Sequence, residues 1–185
     1  MIRPIYLYGS EVLRQKAAMV DLSKKEELTQ LVADLWETLA ASEGCGLAAP
    51  QIGESVRALV VDGDIMADIY PYLKGFKRTI INPTILEASD EKVTYNEGCL
   101  SVPGIYCDVV RSKSIKLEYW NEKFERVVED FDNFAARMIE HELSHLEGEL
   151  FTDLVAPIRR KLVAKKLVGI ALGKISTRYK SKIVR

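Results

Sequence analysis

Both histidines of the chain fall within one stretch of eight residues, His141-Glu142-Leu143-Ser144-His145-Leu146-Glu147-Gly148. Four positions apart on a helix, the two rings project from one face, one turn from each other. Neutral imidazoles so placed bind a divalent ion and leave coordination positions open. Water beside such an ion becomes acidic enough to supply hydroxide near neutral pH. Glu142, on the same turn, is placed to take that proton and pass it to a leaving group. This is the spacing of HExxH, and the chemistry it points to is hydrolytic. The bland alternative, two unconnected histidines on a helix, leaves Glu142 without a purpose.

A catalytic site of this kind needs a third protein ligand, and there is no third histidine. The extended pattern HExxHxxGxxH would place one at position 151, which is Phe151. A glutamate on a later helix is excluded because no acidic residue follows Asp153, and Glu147, Glu149 and Asp153 sit too close to the motif's end. Three thiols lie upstream. Cys107, in the strand-like IYCDVV, reads as a small core residue. Cys45 lies in EGCGLAAPQ and Cys99 in NEGCLSVPG, the latter flanked by Gly98 and Pro103-Gly104 in a segment that can turn tightly. One thiolate with two imidazoles makes a tetrahedral site with one place left for water.

The elements that must carry these residues follow from periodicity. Residues 23 to 42 keep helical spacing through Leu28, Leu31, Val32, Leu35, Trp36 and Leu39, and Ser23 with Glu26 fits a capping box. The stretches 56–62, 79–86, 105–110, 114–120 and 124–131 are short, β-branched or alternating, and predict strands, with a hairpin connection at 121–123. The motif helix is expected from Asp132 or Asn133 to Gly148. A last helix is expected after Pro157, with Ile158, Leu162, Val163, Leu167 and Ile170 on or near one face. The fold class is therefore α+β: short antiparallel or mixed sheets packed around a central motif-bearing helix, with N-terminal and C-terminal helices.

The 185 residues suit one domain with a core that needs no disulfide staples, and three cysteines suit a reducing, cytoplasmic setting. No stretch has the length and apolarity of a membrane span, and no membrane partner is expected. Net charge is −1, but ten basic and no acidic residues lie between Pro157 and Arg185, leaving 16 basic against 27 acidic before them. A basic end on an acidic body points either to a polyanionic partner or to docking on the body itself.

Three separated stretches resemble the three motifs of the peptide deformylases: GCGLAAPQ (44–51) is similar to GxGLAAxQ, EGCLS (97–101) matches the second motif, and HELSH (141–145) fits HExxH. RPIYLYGSEVLR (3–14) resembles the family's beginning, so the likeness covers most of the chain. The resemblance implies hydrolysis of the N-formyl group from the N-terminal methionine of nascent polypeptides, with release of formate. It implies Cys99, His141 and His145 as ligands of one divalent ion, Fe(II) first, with Zn, Ni or Co able to take its place. It makes Glu142 the acid/base and gives the formyl oxygen the Gln51 amide and the Leu100 backbone N–H. Substrate contacts are expected from Gly46, Glu97 and Gly98. Phe134 and Met138, two turns and one turn before His141, are expected to line the methionine pocket or simply to pack the core. The resemblance divides the chain into a deformylase domain over 1–172, ending in a C-terminal helix at about 157–172, and a basic tail over 173–185, with ribosome contact expected through the basic segment.

Two features depart from the family's usual pattern. Ser144 stands where an Asp is common, so Arg111, which resembles that Asp's partner, is expected to find another acid. The loop at 62–76 looks long and is expected to shape the mouth of a substrate groove. The rival reading is an HExxH metallopeptidase cleaving internal peptide bonds.

Overall fold

A computed structural model describes residues 1–185. The chain opens with a two-residue strand, β1 (Ile5–Tyr6), and a 3-10 turn over Glu11–Arg14 before helix α1 (Lys25–Ser42). Leu28, Leu35 and Leu39 of α1 are buried at helical spacing. The capping box expected from Ser23 and Glu26 does not form. Asp21 Oδ1 accepts both the backbone N–H of Ser23 (3.0 Å) and its hydroxyl (2.7 Å), so the serine is spent on a local turn and the helix begins two residues later.

After α1 come β2 (Gly46–Ala48), β3 (Ala58–Asp62), β4 (Lys77–Ala88), β5 (Lys92–Cys99), β6 (Val102–Ser112), β7 (Ser114–Trp120) and β8 (Arg126–Asp132). Five of them form an antiparallel sheet in the order β2-β3-β4-β7-β8. β5 and β6 form a separate antiparallel hairpin in which Glu97 faces Cys107 and Cys99 faces Val102, with a shift of register between the two pairs. β6 turns Ile105, Cys107 and Val109 inward in strict alternation. Two strands were not expected from the sequence, β2 and β5, and β5 carries Cys99. The expected loop at 62–76 folds as two 3-10 turns, Asp64–Met66 and Pro71–Leu73.

The motif helix, α2 (Asn133–Leu146), starts and ends where the sequence places it. Gly148 follows at φ 75°, a conformation that suits glycine, and an added Cβ there would come within 2.6 Å of the Arg14 carbonyl. The last helix, α3 (Pro157–Ala171), buries Val163, Leu167 and Ile170. Ile158 and Leu162 are not on that face: they are 74% and 68% exposed. The 163/167/170 stripe continues backward to Arg160, and Ile158 and Leu162 lie about 100° around the helix from it. The chain then returns to its beginning, where β9 (Ser181–Lys182) pairs in parallel with β1. No helix is long and apolar enough to cross a membrane.

Two hydrophobic clusters flank the region that the motifs share. One holds Leu35, Leu47, Val102, Cys107 and Phe151, with Cys99 and Leu100 packed against it. The other holds Ala48, Phe131, Phe134, Met138 and Ile139, with Cys45 and Tyr95 packed against it. The candidate site lies along the seam between them.

Candidate metal centre

Helix α2 and the end of β5 bring Cys99, His141 and His145 together, with one potential ligand atom from each lying within 4.8 Å of the others. Cys99 Sγ is 3.3 Å from His145 Nε2. The ring centroids of the two histidines are 5.2 Å apart. Cys107 is fully buried in β6 and takes no part, and Cys45 is not in the group.

The two histidines are oriented by different means. His141 Nδ1 lies 2.7 Å from Glu97 Oε1. An ionised carboxylate only accepts, so Nδ1 carries the hydrogen and Nε2 keeps its lone pair for a ligand. Burial works against a charge on His141, but its bonding to Cys99 and Glu97 outweighs burial and pushes it up to about 10. The same anions that hold a proton there would hold a cation. His145 is neutral by contrast: burial, then the charges of His141 and Arg111, push it well below its ordinary value. Its Nδ1 is buried with no partner in the protein. One soft sulfur and two imidazole nitrogens, converging on a buried point, fit a tetrahedral ion with an open position.

Glu97 is the centre of the support. Burial alone would raise its pKa, but hydrogen bonds from His141 and Arg111 hold it well below the usual carboxylate range. Arg111 grips it from Nε (2.9 Å) and Nη2 (3.1 Å), and Arg137 adds a bond from Nη1 at 2.6 Å. Arg111 also donates to Ser144 Oγ at 2.8 Å. With serine at 144, this arginine takes its carboxylate from β5. Arg137 is 2% exposed and further donates to the carbonyls of Val109 and Val93, each at 2.7 Å, tying α2 to both strands of the hairpin. Its guanidinium sits 5.1 Å from the centroid of Tyr95. The sequence reading missed Arg137. The available signal was its position four residues before His141, hence on the same face of α2.

Around this centre stand the other expected residues. Gln51 is buried on a 3-10 turn after β2, and its Oε1 accepts the Ala48 backbone N–H at 2.8 Å. That leaves Nε2 facing the cysteine, 3.6 Å from Cys99 Sγ and 3.2 Å from Ser101 Oγ. Glu142 is buried with Oε2 unpartnered, and burial pushes its carboxyl up to about 7. Gly46 presses against it: a Cβ at position 46 would fall on Glu142 Oε1, so only glycine lets β2 come this near. Gly98 is equally close to Tyr106, whose Cε1 an added Cβ would meet at 2.5 Å.

Phe134 and Met138 are buried, further along α2. Phe134 stacks on Tyr70 with centroids 4.6 Å apart and meets Tyr95 edge-on at 5.3 Å. Tyr72 accepts the Phe134 backbone N–H at 3.2 Å, so the 62–76 segment is fastened to the start of α2. Phe151, at the position where a third histidine would have to be, is buried with its ring centroid 5.9 Å from that of His141.

Comparison with known proteins agrees with this arrangement. A family model described as polypeptide deformylase matches residues 2–161. The peptide deformylase of Flavobacterium johnsoniae is 40% identical, with 98% of this chain and 96% of that protein aligned. That of Pseudothermotoga lettingae is 43% identical over 97% and 98%. The crystal structure of the Thermotoga maritima peptide deformylase superposes with a TM-score of 0.76 at 37% identity, covering 85% of this chain and 99% of that one. With a family match over most of its length and relatives aligned nearly end to end, the chain belongs to the polypeptide deformylase family.

Proposed function

We propose that this hydrolase removes the N-formyl group from the N-terminal methionine of newly synthesised polypeptides, releasing formate, at a site built on Cys99, His141 and His145. The observation that carries the reading is the convergence of one sulfur and two imidazole donors within 4.8 Å. Glu142 is buried on the same helix and the Gln51 amide lies against the sulfur. The ion they would hold is Fe(II) first, with Zn, Ni or Co as alternatives, since a mixed nitrogen and sulfur set suits all four. When bound, it supplies a Lewis acid that polarises the formyl carbonyl and acidifies water.

The chain's own groups do the rest. Glu142 is the base that takes a proton from the attacking water and returns it to the departing amine. A carboxyl near 7 is suited to both directions of transfer. The Gln51 Nε2–H and the Leu100 N–H donate to the formyl oxygen as negative charge builds on it, an arrangement worth about 3–4 kcal/mol per donor in comparable sites. The substrate backbone runs along Gly46 and the Glu97–Gly98 end of β5. Glu97 offers it main chain only, because its carboxylate is taken up by Arg111, Arg137 and His141. The methionine side chain lies against Phe134 and Met138, with the 62–76 segment closing that pocket through Tyr70. Substitutions at Phe134 and Met138 are expected to change the preference for formyl-Met over other formyl residues; a change in stability alone refutes that placement.

Chain-internal peptidase chemistry is disfavoured by Phe151, an apolar ring at the position that the extended HExxH pattern needs for a ligand. Formate release from a formyl-Met peptide by anaerobically prepared protein, beside cleavage of an unformylated peptide, tests the reading. Cleavage of internal bonds without formate release overturns it. The working setting is cytoplasmic, beside the ribosome, with the basic segment of α3 and the residues after it as the contact to ribosomal RNA.

A further inference from the structure

The segment that carries Cys99 is held by both ends of the chain. From the N-terminal side, Tyr8 donates its backbone N–H to the Ser101 carbonyl at 2.7 Å. From the C-terminal side, the Tyr179 hydroxyl donates to the Leu100 carbonyl at 2.6 Å, across 79 residues of sequence. The two ends are laced together. Ile5 N–H donates to the Lys180 carbonyl (2.8 Å), Leu7 N–H to that of Lys182 (2.9 Å) and Glu11 N–H to that of Val184 (3.1 Å). Ser10 Oγ accepts from Val184 N–H at 3.1 Å, and the Lys182 ammonium lies 4.4 Å from the Tyr6 ring centroid. Residues 179–184 are a strap across β1, not a free tail.

We propose that Tyr179 is a positioning residue for the deformylase site. The proposal rests on the assignment of Cys99 as a ligand and of the Leu100 N–H as a donor to the formyl oxygen. The Leu100 carbonyl and the Ser101 N–H are two ends of one rigid peptide plane. The Ser101 N–H points at Cys99 Sγ, 3.4 Å away. A hydroxyl bonded to the carbonyl fixes the rotation of that plane and polarises it, which makes its N–H a better donor to the sulfur. The Leu100 side chain is fixed as well: it lies so close to Gly44 that an added Cβ there would reach Leu100 Cδ1 at 2.7 Å. With its side chain set by the end of α1 and its carbonyl set by Tyr179, Leu100 has little freedom to turn its own N–H away. The strap thereby acts on two features of the centre at once, the donor to the substrate and the charge on the thiolate.

Tyr179→Phe keeps the ring and removes only the donated bond. Ile183→Ala, on the same strap, removes a side chain that packs against the core and serves as the control for loosened packing. The full-length proteins are loaded with Co(II), and three quantities are read: metal stoichiometry, the thiolate-to-Co(II) absorption band without substrate, and kcat and KM for a formyl-Met peptide. Tyr179→Phe is expected to retain metal, shift the band, and lower kcat roughly five- to tenfold with KM within about twofold. Ile183→Ala is expected to lower the melting temperature while leaving the band and kcat in place. An unshifted band in Tyr179→Phe overturns the proposal. So does an unchanged kcat in an active enzyme, or an equal loss in Ile183→Ala. If the wild-type protein releases no formate, the functional reading fails by itself, and the band, which needs no substrate, decides for or against Tyr179.

Discussion

Helices α2 and α3 are of nearly equal length and lie close together in the chain, yet they meet the solvent in opposite ways. Twelve of the 14 residues of α2 are buried, among them Arg137, His141, Glu142 and His145. Only three of the 15 residues of α3 are buried, while Ile158 and Leu162 face outward. Residue hydrophobicity alone would predict much of the reverse. The difference lies in what each helix meets. An ionised group enters the interior only with partners that replace its water. Along α2, Glu97, Arg111 and two strand carbonyls supply them. α3 has no comparable network and lies over the edge of the core, burying one narrow stripe.

The sharpest way to break this comparison is to remove the chemistry from the α2 side. Cys99→Ala is expected to lose stoichiometric metal; retention of one equivalent, measured by elemental analysis, refutes the ligand assignment. Glu142→Ala is expected to keep its metal and lose turnover by a factor on the order of 10² to 10⁴. Wild-type-like formate release in that variant rules Glu142 out as the base.

The next effect is on stability. Arg137→Ala leaves Glu97 with one buried arginine fewer and two strand carbonyls without their donor. Its expected cost is about 3–5 kcal/mol in urea denaturation. Lys161→Ala, an exposed position on α3, is expected to change stability by no more than about 0.5 kcal/mol. Equal losses in the two variants would mean that the Arg137 network contributes no more than a solvated face.

The same contrast explains what was legible in the sequence. The extent of α2 was readable because its apolar spacing, its motif and Gly148 agree. The span of α3 was readable from Pro157 and the run that follows. Its inner face was not, because Ile158 and Leu162 compete with Val163, Leu167 and Ile170 for the same stripe, and only the body beneath decides. β5 escaped notice because KVTYNEGC mixes polar residues with a glycine; its regularity comes from pairing with β6. The convergence of Cys99 with the histidines was reached through motif resemblance, since 42 positions separate Cys99 from His141. Arg137 looked like any solvated arginine because its partner, Glu97, is 40 residues away. Nothing local in the sequence marks Tyr179, whose partner is a backbone carbonyl 79 residues distant.

A smaller effect is expected at the joint between the two helices. Asp153 pairs with Arg14 at 2.5 Å and accepts the Leu150 N–H at 2.9 Å. Burial would raise its pKa, but Arg14 and the Leu150 amide hold it below the usual carboxylate value. A depressed carboxylate contributes stability that is present above the ordinary pKa and is lost as pH falls through the folded one. Asp153→Asn keeps an acceptor for Leu150 and loses the ion pair, whose half-exposed partners are screened by solvent. The expected cost is about 0.5–1 kcal/mol near pH 7. It is expected to vanish below roughly pH 3, where the wild-type aspartate is protonated too. A difference that persists undiminished in acid would assign the effect to packing.

The smallest expected effect on the enzyme itself comes from the exposed side of α3. Deleting residues 173–185 would confound any test of ribosome contact, because the deletion also removes β9 and Tyr179. Reversing charge at Lys161, Lys165 and Lys166, all exposed, leaves the strap in place. The triple Glu variant is expected to keep formate release within about twofold, since these positions lie on the solvent side of α3. Its co-sedimentation with ribosomes is expected to fall, most clearly at low salt, because contacts to phosphate release counterions and their number sets the salt slope. Binding by the triple variant at wild-type strength, or wild-type binding that ignores salt, would assign the exposed basic face of α3 to solubility alone and leave α2 as the only helix of the pair with a functional partner.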